Sequence, residues 1–347
     1  MSQVKKRASI NDVATRANVS VGTVSNVLNR PNRVSPRTRD KVNQAIVDLE
    51  FIPNSSARQL RSGEVSIIGA LVLDISNPYF TAVIRGMEDR LAKDGYALML
   101  ASSDRSAEKE KQYFRMFEEH GIRGVIAVPA SDDMTAISDA KERGHKIVLL
   151  DVSSPAPQFS SVGVDNTTGG DLAVSHLIAQ GHTRIAFING PHSIIQCKAR
   201  SIGAQNALAR AGLSLESNFT EFEIQEMTAD SGEQAAISIL KSLPKETRPT
   251  AIFCVNDLVA LGVARAFRKR SVAVPQEIAL VGYDDLNFAG ELATPLSSIR
   301  QPTYKIGYRA AELLIAQLQN GDSGDHEQVQ FQPELIARES SIFNAVQ

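Results

Sequence analysis

The sequence predicts an all-α helix-turn-helix head followed by an α/β core of two Rossmann-like, parallel-sheet lobes. Three observations predict it. The first fifty residues hold three short amphipathic helical patterns separated by tight turns. From Val65 onward, β-branched apolar runs alternate with helical stretches, which implies parallel strands covered on both faces. The chain has 347 residues, more than one ordinary domain accommodates.

The head is built from caps. Ser9 opens the first helix, with Asp12 placed three residues on as a capping-box partner and Ile10, Val13, Ala14 and Ala17 on one face. Ser20 opens the second, with Val21, Val24, Val27 and Leu28 spaced for one face. Ser35-Pro36 opens the third, a cap followed by proline at the first helical position, with Val42, Ala45, Ile46 and Leu49 apolar. Pro53-Asn54 ends the unit. Ser55–Leu60 is too short to be a stable helix alone. The expected domains are a helix-turn-helix unit over 1–50, a hinge or linker over 51–63 and a core over 64–347.

In the core, strands are expected at Ile67–Leu73, Ala97–Ala101, Gly124–Val128, Ile147–Leu150, Ile185–Ile188, Ile252–Val255 and Ile278–Val281, with amphipathic helices between them. Asp, Asn and Ser follow these strands at Asp74, Asp104, Asp151, Asn189, Asn256 and Asp284. Ligands of doubly wound sheets bind beyond the carboxyl ends of strands, so a ring of carboxylates and amides there suits a hydroxyl-rich small molecule. The same residues also serve as turns and helix caps.

Charge divides the chain. Residues 1–62 hold 11 Lys and Arg against 4 Asp and Glu, whereas the remainder holds 26 against 35. A basic head on an acidic body points to a polyanion partner for the head. No apolar run approaches the roughly 18 residues of a membrane span, and the basic, polar N-terminus is unlike a secretory signal. The expected location is cytoplasmic and nucleoid-associated, with no membrane partner. Two cysteines and six unclustered histidines suggest neither a disulfide framework nor a metal site. The phosphate-loop and nucleophile-elbow motifs are absent, so no cofactor and no enzymatic activity are expected. A solute-binding protein and an α/β sugar enzyme are the rival readings.

In a helix-turn-helix the second helix enters the major groove. Ser20, Ser25 and Asn26 can hydrogen-bond base edges and Val21 can touch a thymine methyl. Thr23, Asn29, Arg33, Ser35 and Thr38 suit phosphates.

The run from Ser9-Ile10-Asn11-Asp12-Val13-Ala14 through Val19-Ser20-Val21-Gly22-Thr23-Val24-Ser25-Asn26-Val27-Leu28-Asn29 resembles the head of the lactose/galactose-repressor family. The likeness continues through Val34–Val42 and Phe51–Leu60, and over the core at Asn77-Pro78-Tyr79-Phe80, Ala199–Gly203, Gly282-Tyr283-Asp284-Asp285, Ile299–Pro302 and Leu335–Ser340. It implies a transcriptional regulator, most simply a repressor of carbohydrate or related metabolic genes. Such a protein binds double-stranded, pseudo-palindromic operator DNA as a homodimer. The resemblance implies a periplasmic-binding-protein-like core, with an N-lobe at about 64–161 and 292–321 and a C-lobe at about 162–291 and 322–347. The lobe crossovers would lie near 160–163, 290–293 and 319–323. Ser55–Leu60 would fold as a hinge helix on operator DNA, with Leu60 wedged into the minor groove beside Ala57. Ser9, Gly22 and Asn54 join the DNA-binding set. Tyr79, Phe80, Asp151, Arg200, Asn256, Asp284 and Gln301 match effector positions, with Phe222 as an apolar wall. Purine-binding members carry arginine and threonine where this chain has Ile194 and Gln196. That departure implies a sugar or related metabolite as effector. Asn26 stands where arginine is common, so the operator would differ at the matching base.

Overall fold

The computed structural model describes residues 8–49, 51, 67–152, 158–320 and 326–342. It divides into two compact units, residues 1–65 and 66–347.

In the first unit, helices α1 (Ile10–Ala17), α2 (Val21–Asn29) and α3 (Pro36–Asp48) enclose Val13, Ala14, Ala17, Val24, Val27, Val42 and Ala45. Each helix starts where the sequence places a cap. Ser9 and Asp12 form the reciprocal capping box, and the Ser20 and Ser35 hydroxyls accept from the amides of Thr23 and Thr38. Asn18, at φ 53, closes α1 in the left-handed region, which asparagine tolerates. The Arg16 guanidinium donates to the Asp48 carboxylate at 2.8 Å and ties α1 to α3.

The second unit holds two sheets. The first contains β1 (Ile67–Val72), β2 (Ala97–Ser102), β3 (Gly124–Ala127), β4 (Lys146–Leu150), β5 (Ser160–Val164) and β11 (Gln328–Phe331), in the order β11-β5-β4-β3-β1-β2. Its helices are α4 (Pro78–Ala92), α5 (Ala107–Glu119), α6 (Thr135–Glu142) and α12 (Thr303–Asn320). The second contains β6 (Ile185–Asn189), β7 (Phe219–Glu223), β8 (Ala251–Cys254), β9 (Ala279–Asp284), β10 (Ser297–Arg300) and β12 (Glu334–Ile336), in the order β12-β10-β9-β8-β6-β7. It is flanked by α7 (Asn166–Ala179), α8 (Ile195–Arg210), the short α9 (Leu215–Asn218), α10 (Ala229–Ser242) and α11 (Asp257–Lys269). Among the described pairings all are parallel except β10 with β12, which is antiparallel.

The lobe boundaries differ from the expected ones. β5 and β11 belong to the first sheet and β10 and β12 to the second. The chain therefore changes lobe at 165, at 301–302 and at 332–333, later than 160–163, 290–293 and 319–323. The cause is strand chemistry. β5 (SSVGV), β10 (SSIR) and β11 (QVQF) are short and partly polar, so they lack the apolar run that marks the central strands. The 290–293 region lies instead at a 3-10 turn, Asn287–Glu291, inside the second lobe.

Candidate DNA-reading head and inter-lobe cleft

In the head, α2 presents Val21, Gly22 and Asn26 to solvent, Val21 at 40% exposure. A β-carbon added at Gly22 would meet only Ser20 Oγ, at 3.6 Å. Ser20 Oγ accepts from Thr23 N at 3.1 Å and pairs with Thr23 Oγ1 at 2.9 Å. Ser35 repeats the arrangement with Thr38, its hydroxyl 2.9 Å from Thr38 Oγ1. Ser9 is committed to Asp12. Three of the serines assigned to DNA thus shape the helix starts as well, and their hydroxyls keep further hydrogen-bonding capacity. Ser25 is half-buried and Arg33 exposed. Asn29 is the last residue of α2. Asn54, Ala57 and Leu60 lie outside the described residues.

Between the lobes of the second unit lies a cleft with about 540 Å³ of atom-free space, its mouth included. The first lobe contributes Tyr79 and Phe80 from the start of α4 and Asp151 from the end of β4. The second contributes Arg200 from α8, Asn256 after β8 and Asp284 at the end of β9, and Gln301 stands in a crossover. Seven of the eight expected effector residues therefore meet. Phe222 does not. It lies on edge strand β7, half-buried against the second-lobe core, and lines a separate groove beside α10. In β7 the neighbouring Glu221 faces the other way, toward Asn189 and Ser201, as strand alternation requires.

Burial sets the electrostatics. Arg200 is 6% exposed; its Nε donates to Asn166 Oδ1 at 2.9 Å, its Nη1 to the Val255 carbonyl at 2.6 Å, and its guanidinium lies 3.5 Å from the Tyr283 ring centroid. Asp284 accepts from Gln301 Nε2 at 2.7 Å. Removal from water pushes the Asp284 carboxyl up to about 7 and Asp151 up to about 6, against the opposing pull of Arg200. Burial likewise raises the Tyr79 hydroxyl well above its ordinary value. The Tyr79 hydroxyl hydrogen-bonds the Asp151 carboxyl and favours its ionised form, while Gln301 Oε1 is buried without a partner. Asp151 (φ 57), Asp284 (φ 103) and Asp285 (φ 51) occupy the left-handed side of backbone space, which costs such residues on the order of 1–3 kcal/mol each. Asn256 caps α11 through Val259 N at 2.8 Å and donates to the Met227 carbonyl at 3.2 Å, so both ends of its amide are engaged.

Further residues support the site, some from the polar ring at the strand ends and some outside the expected effector set. Asn166 and Tyr283 hold Arg200, and the fully buried Asp257 accepts from Ser298 Oγ and Leu286 N, bracing the turn that carries Asp284. Asp74, Arg105, Cys197 and Met227 complete the wall with Ile194 and Gln196. Asn166 and Asp257 belong to the polar residues that follow strand ends, and Tyr283 stands in the Gly282-Tyr283-Asp284-Asp285 run of the family likeness, though neither signal assigned them a supporting role.

Comparison with known proteins agrees with this geometry. Residues 9–54 match the family model for bacterial regulatory proteins of the lacI family, and residues 174–341 match that for a periplasmic binding protein-like domain. The HTH-type transcriptional repressor PurR of Aliivibrio fischeri (strain MJ11) is 33% identical over 341 residues, spanning 97% of this chain and 99% of the relative. The chain belongs to the lacI family of bacterial regulatory proteins. The Lac repressor dimer bound to operator and the anti-inducer ONPF superposes with a TM-score of 0.82 at 28% identity, over 97% of this chain and all of that one. A transcriptional regulator CelR–cellobiose complex gives a TM-score of 0.71 at 29% identity, over 96% and 100%. This lacI-family chain is thus a DNA-binding transcriptional repressor with a helix-turn-helix head and a periplasmic-binding-protein-like core, and its relatives are repressors rather than enzymes. No helix among the described residues is long and apolar enough to cross a membrane.

Proposed function

We propose that this repressor binds a pseudo-palindromic operator as a homodimer and that a small polar effector, a sugar or related metabolite, sets its affinity from the inter-lobe cleft. It acts in the cytoplasm, at the nucleoid, on carbohydrate or related metabolic genes. The observation that carries the effector reading is the convergence of buried polar groups from both lobes, the Tyr79 hydroxyl, the Asp151 and Asp284 carboxyls, Arg200 and Gln301 Oε1, in one cleft. Buried polar groups are costly unless their hydrogen-bonding capacity is met, and a hydroxyl-rich ligand supplies further partners to this set. The solved relatives favour this class: one holds cellobiose and another, from Enterococcus faecium, ribose. Ile194 and Gln196, the two departures from the purine-binding pattern, both line the cleft, which favours a sugar over a purine.

On the DNA side, Ser20, Val21, Gly22, Ser25 and Asn26 read bases, while Ser9, Thr23, Asn29, Arg33, Ser35 and Thr38 contact the backbone. Asn54, Ala57 and Leu60 continue this set into the hinge. The effector shifts DNA affinity by its differential affinity for the two lobe arrangements and no further.

The test is operator binding by the full chain at two salt concentrations, repeated with sugars, sugar phosphates and purine bases. Steep salt dependence is expected, with a shift of affinity by an uncharged sugar. A shift by purines alone would overturn the effector class, and salt-insensitive binding would overturn the DNA reading.

A further inference from the structure

Gln196 stands in the first turn of α8, in the second lobe, and is 6% exposed. Its Nε2 donates to the backbone carbonyl of Asp151, 2.7 Å away in the first lobe. The other cleft hydrogen bonds described above leave the lobes independent. Arg200 bonds Asn166 and Val255, and Asn256 bonds Met227, all within the second lobe; Gln301 bonds Asp284 from a crossover. The Gln196 contact spans the cleft. Its acceptor is also held from behind, because the Asp151 amide donates to the Val162 carbonyl at 2.8 Å. The Asp151 peptide units are therefore gripped by β5 on one side and by α8 on the other. They are fixed in a left-handed conformation, φ 57, that an aspartate does not adopt for preference. The carboxyl of the same residue is buried in the cleft.

We propose that Gln196 is an inter-lobe latch: it ties the two lobes together across the cleft and, by gripping the Asp151 carbonyl, positions the Asp151 carboxyl for the effector. Gln196 is then a positioning residue. An effector that leaves the latch in place keeps that arrangement. One that takes the Gln196 amide for itself releases the first lobe, so residue 196 helps decide the sign of the response. This rests on the cleft being the effector site, but its test needs no effector.

Lobe separation in the full chain is read as the distance between spin labels on Glu119→Cys in the first lobe and Glu216→Cys in the second, both exposed positions; labelled chains are diluted with unlabelled ones. Cys254 is buried in the second-lobe core, and Cys197, which lines the cleft, is replaced by Ala in every version so that it does not compete for label. Three versions are compared at about pH 5 and about pH 8.5, on either side of a buried carboxyl's titration: Gln196, Gln196→Leu and Gln196→Glu. Leucine cannot donate. Glutamate donates only when protonated. The wall also carries Asp74, Tyr79, Arg105 and Asp151 from the first lobe and Cys197, Arg200 and Asp284 from the second. With Asp151 pushed up to about 6 and Asp284 to about 7, the wall itself titrates in this range. Its titration is common to all three versions, so the Leu variant subtracts it.

The wild-type chain should give a short, narrow distribution, and Gln196→Leu a longer, broader one at both pH values. Gln196→Glu should match the wild type at low pH and the Leu variant at high pH, reversibly in one sample, which a folding defect cannot imitate. A Leu variant with the wild-type distribution, or a Glu variant that follows the Leu variant at both pH values, overturns the latch and leaves the effector reading standing. An effector screen without hits, beside the expected distances, removes the effector reading and the positioning role with it, and keeps only the inter-lobe tie.

Discussion

The Arg200 guanidinium lies flat over Tyr283, 3.5 Å from its ring centroid, while Asn166 and the Val255 carbonyl hold it from the edges. Motif matching presents Arg200 as a fork of donors free for a ligand. Its surroundings show a fork already half spent on its own lobe, with the remaining donors aimed by that commitment. Such pre-organisation lowers the ordering cost of binding.

Arg200→Lys should therefore harm the protein before any effector is added. Lysine cannot stack as a plane or bond along two edges at once, and a desolvated cation–π contact is worth about 2 kcal/mol. Urea unfolding of the effector-free core unit's transition should show a loss of that order. An unchanged midpoint at constant slope would mean that the stack contributes nothing.

The two cleft carboxyls give stability a pH dependence of defined sign. Burial pushes Asp284 up to about 7 and Asp151 up to about 6, above the ordinary 3.8. Between roughly pH 4 and pH 7 the folded chain keeps protons that the unfolded chain has lost, so this contribution to stability falls as pH rises, by at most about 1.4 kcal/mol per pH unit for each group. Asp284→Asn removes its share. The stability of that variant relative to wild type should rise from pH 4 to pH 7 and level off above. A difference that is flat across the window would show that Asp284 is ionised throughout.

Effector affinity should follow from the same groups. Sugar hydroxyls donate to carboxylates and favour their ionised form, so binding releases protons. Calorimetry of a sugar that binds should show affinity increasing from about pH 5.5 to about pH 7.5, with proton release measurable in buffers of different ionisation heat. Proton uptake on binding would reverse the assigned hydrogen-bond direction.

In the head, cap and readout can be separated. Ser20→Ala removes a cap worth about 1 kcal/mol and should lower both the stability of the head and its operator affinity. Asn26 is exposed on α2 and makes no cap. Asn26→Ala should leave stability unchanged and relax specificity at one base pair per half-site, by about 1–3 kcal/mol. Uniform loss over all operator variants would reassign Asn26 to the backbone.

Helix α8 sits so close to α7 that Gly203 has no room for a side chain: an added β-carbon would lie 1.9 Å from the Thr167 carbonyl oxygen, and one at Gly170 would lie 2.1 Å from that of Arg200. Gly203→Ala should destabilise the second lobe by about 3 kcal/mol, overpacking outweighing the gain in helix propensity. Because the close approach seats Arg200, effector affinity should fall with it. A melting temperature within a degree or so of wild type would contradict the rigid seating.

The head was legible residue by residue, because its information is local. Ser9, Ser20 and Ser35 cap helices whose apolar spacing is visible over a single turn. The central strands were legible for a related reason: buried on both faces, they must be continuously apolar. β5, β7, β10, β11 and β12 were missed, since short or edge strands are polar on one face and take their pairing from distant neighbours. With them went the crossover positions.

The cleft divides the same way. Sequence alone placed Asp151, Asn256 and Asp284 at strand ends, and the family resemblance added Tyr79, Phe80, Arg200 and Gln301. Only the tertiary structure decided that Phe222 faces α10, that Asn256 is a cap as well as a wall, and that Gln196 reaches the Asp151 carbonyl across the lobes. It also decided that Asp284 and Asp151 hold their protons to about 7 and about 6. Capping and periodicity act over a few residues, and the chain records them directly. Side-chain direction, burial and desolvation depend on which strands become neighbours, and that is settled by the packed core as a whole.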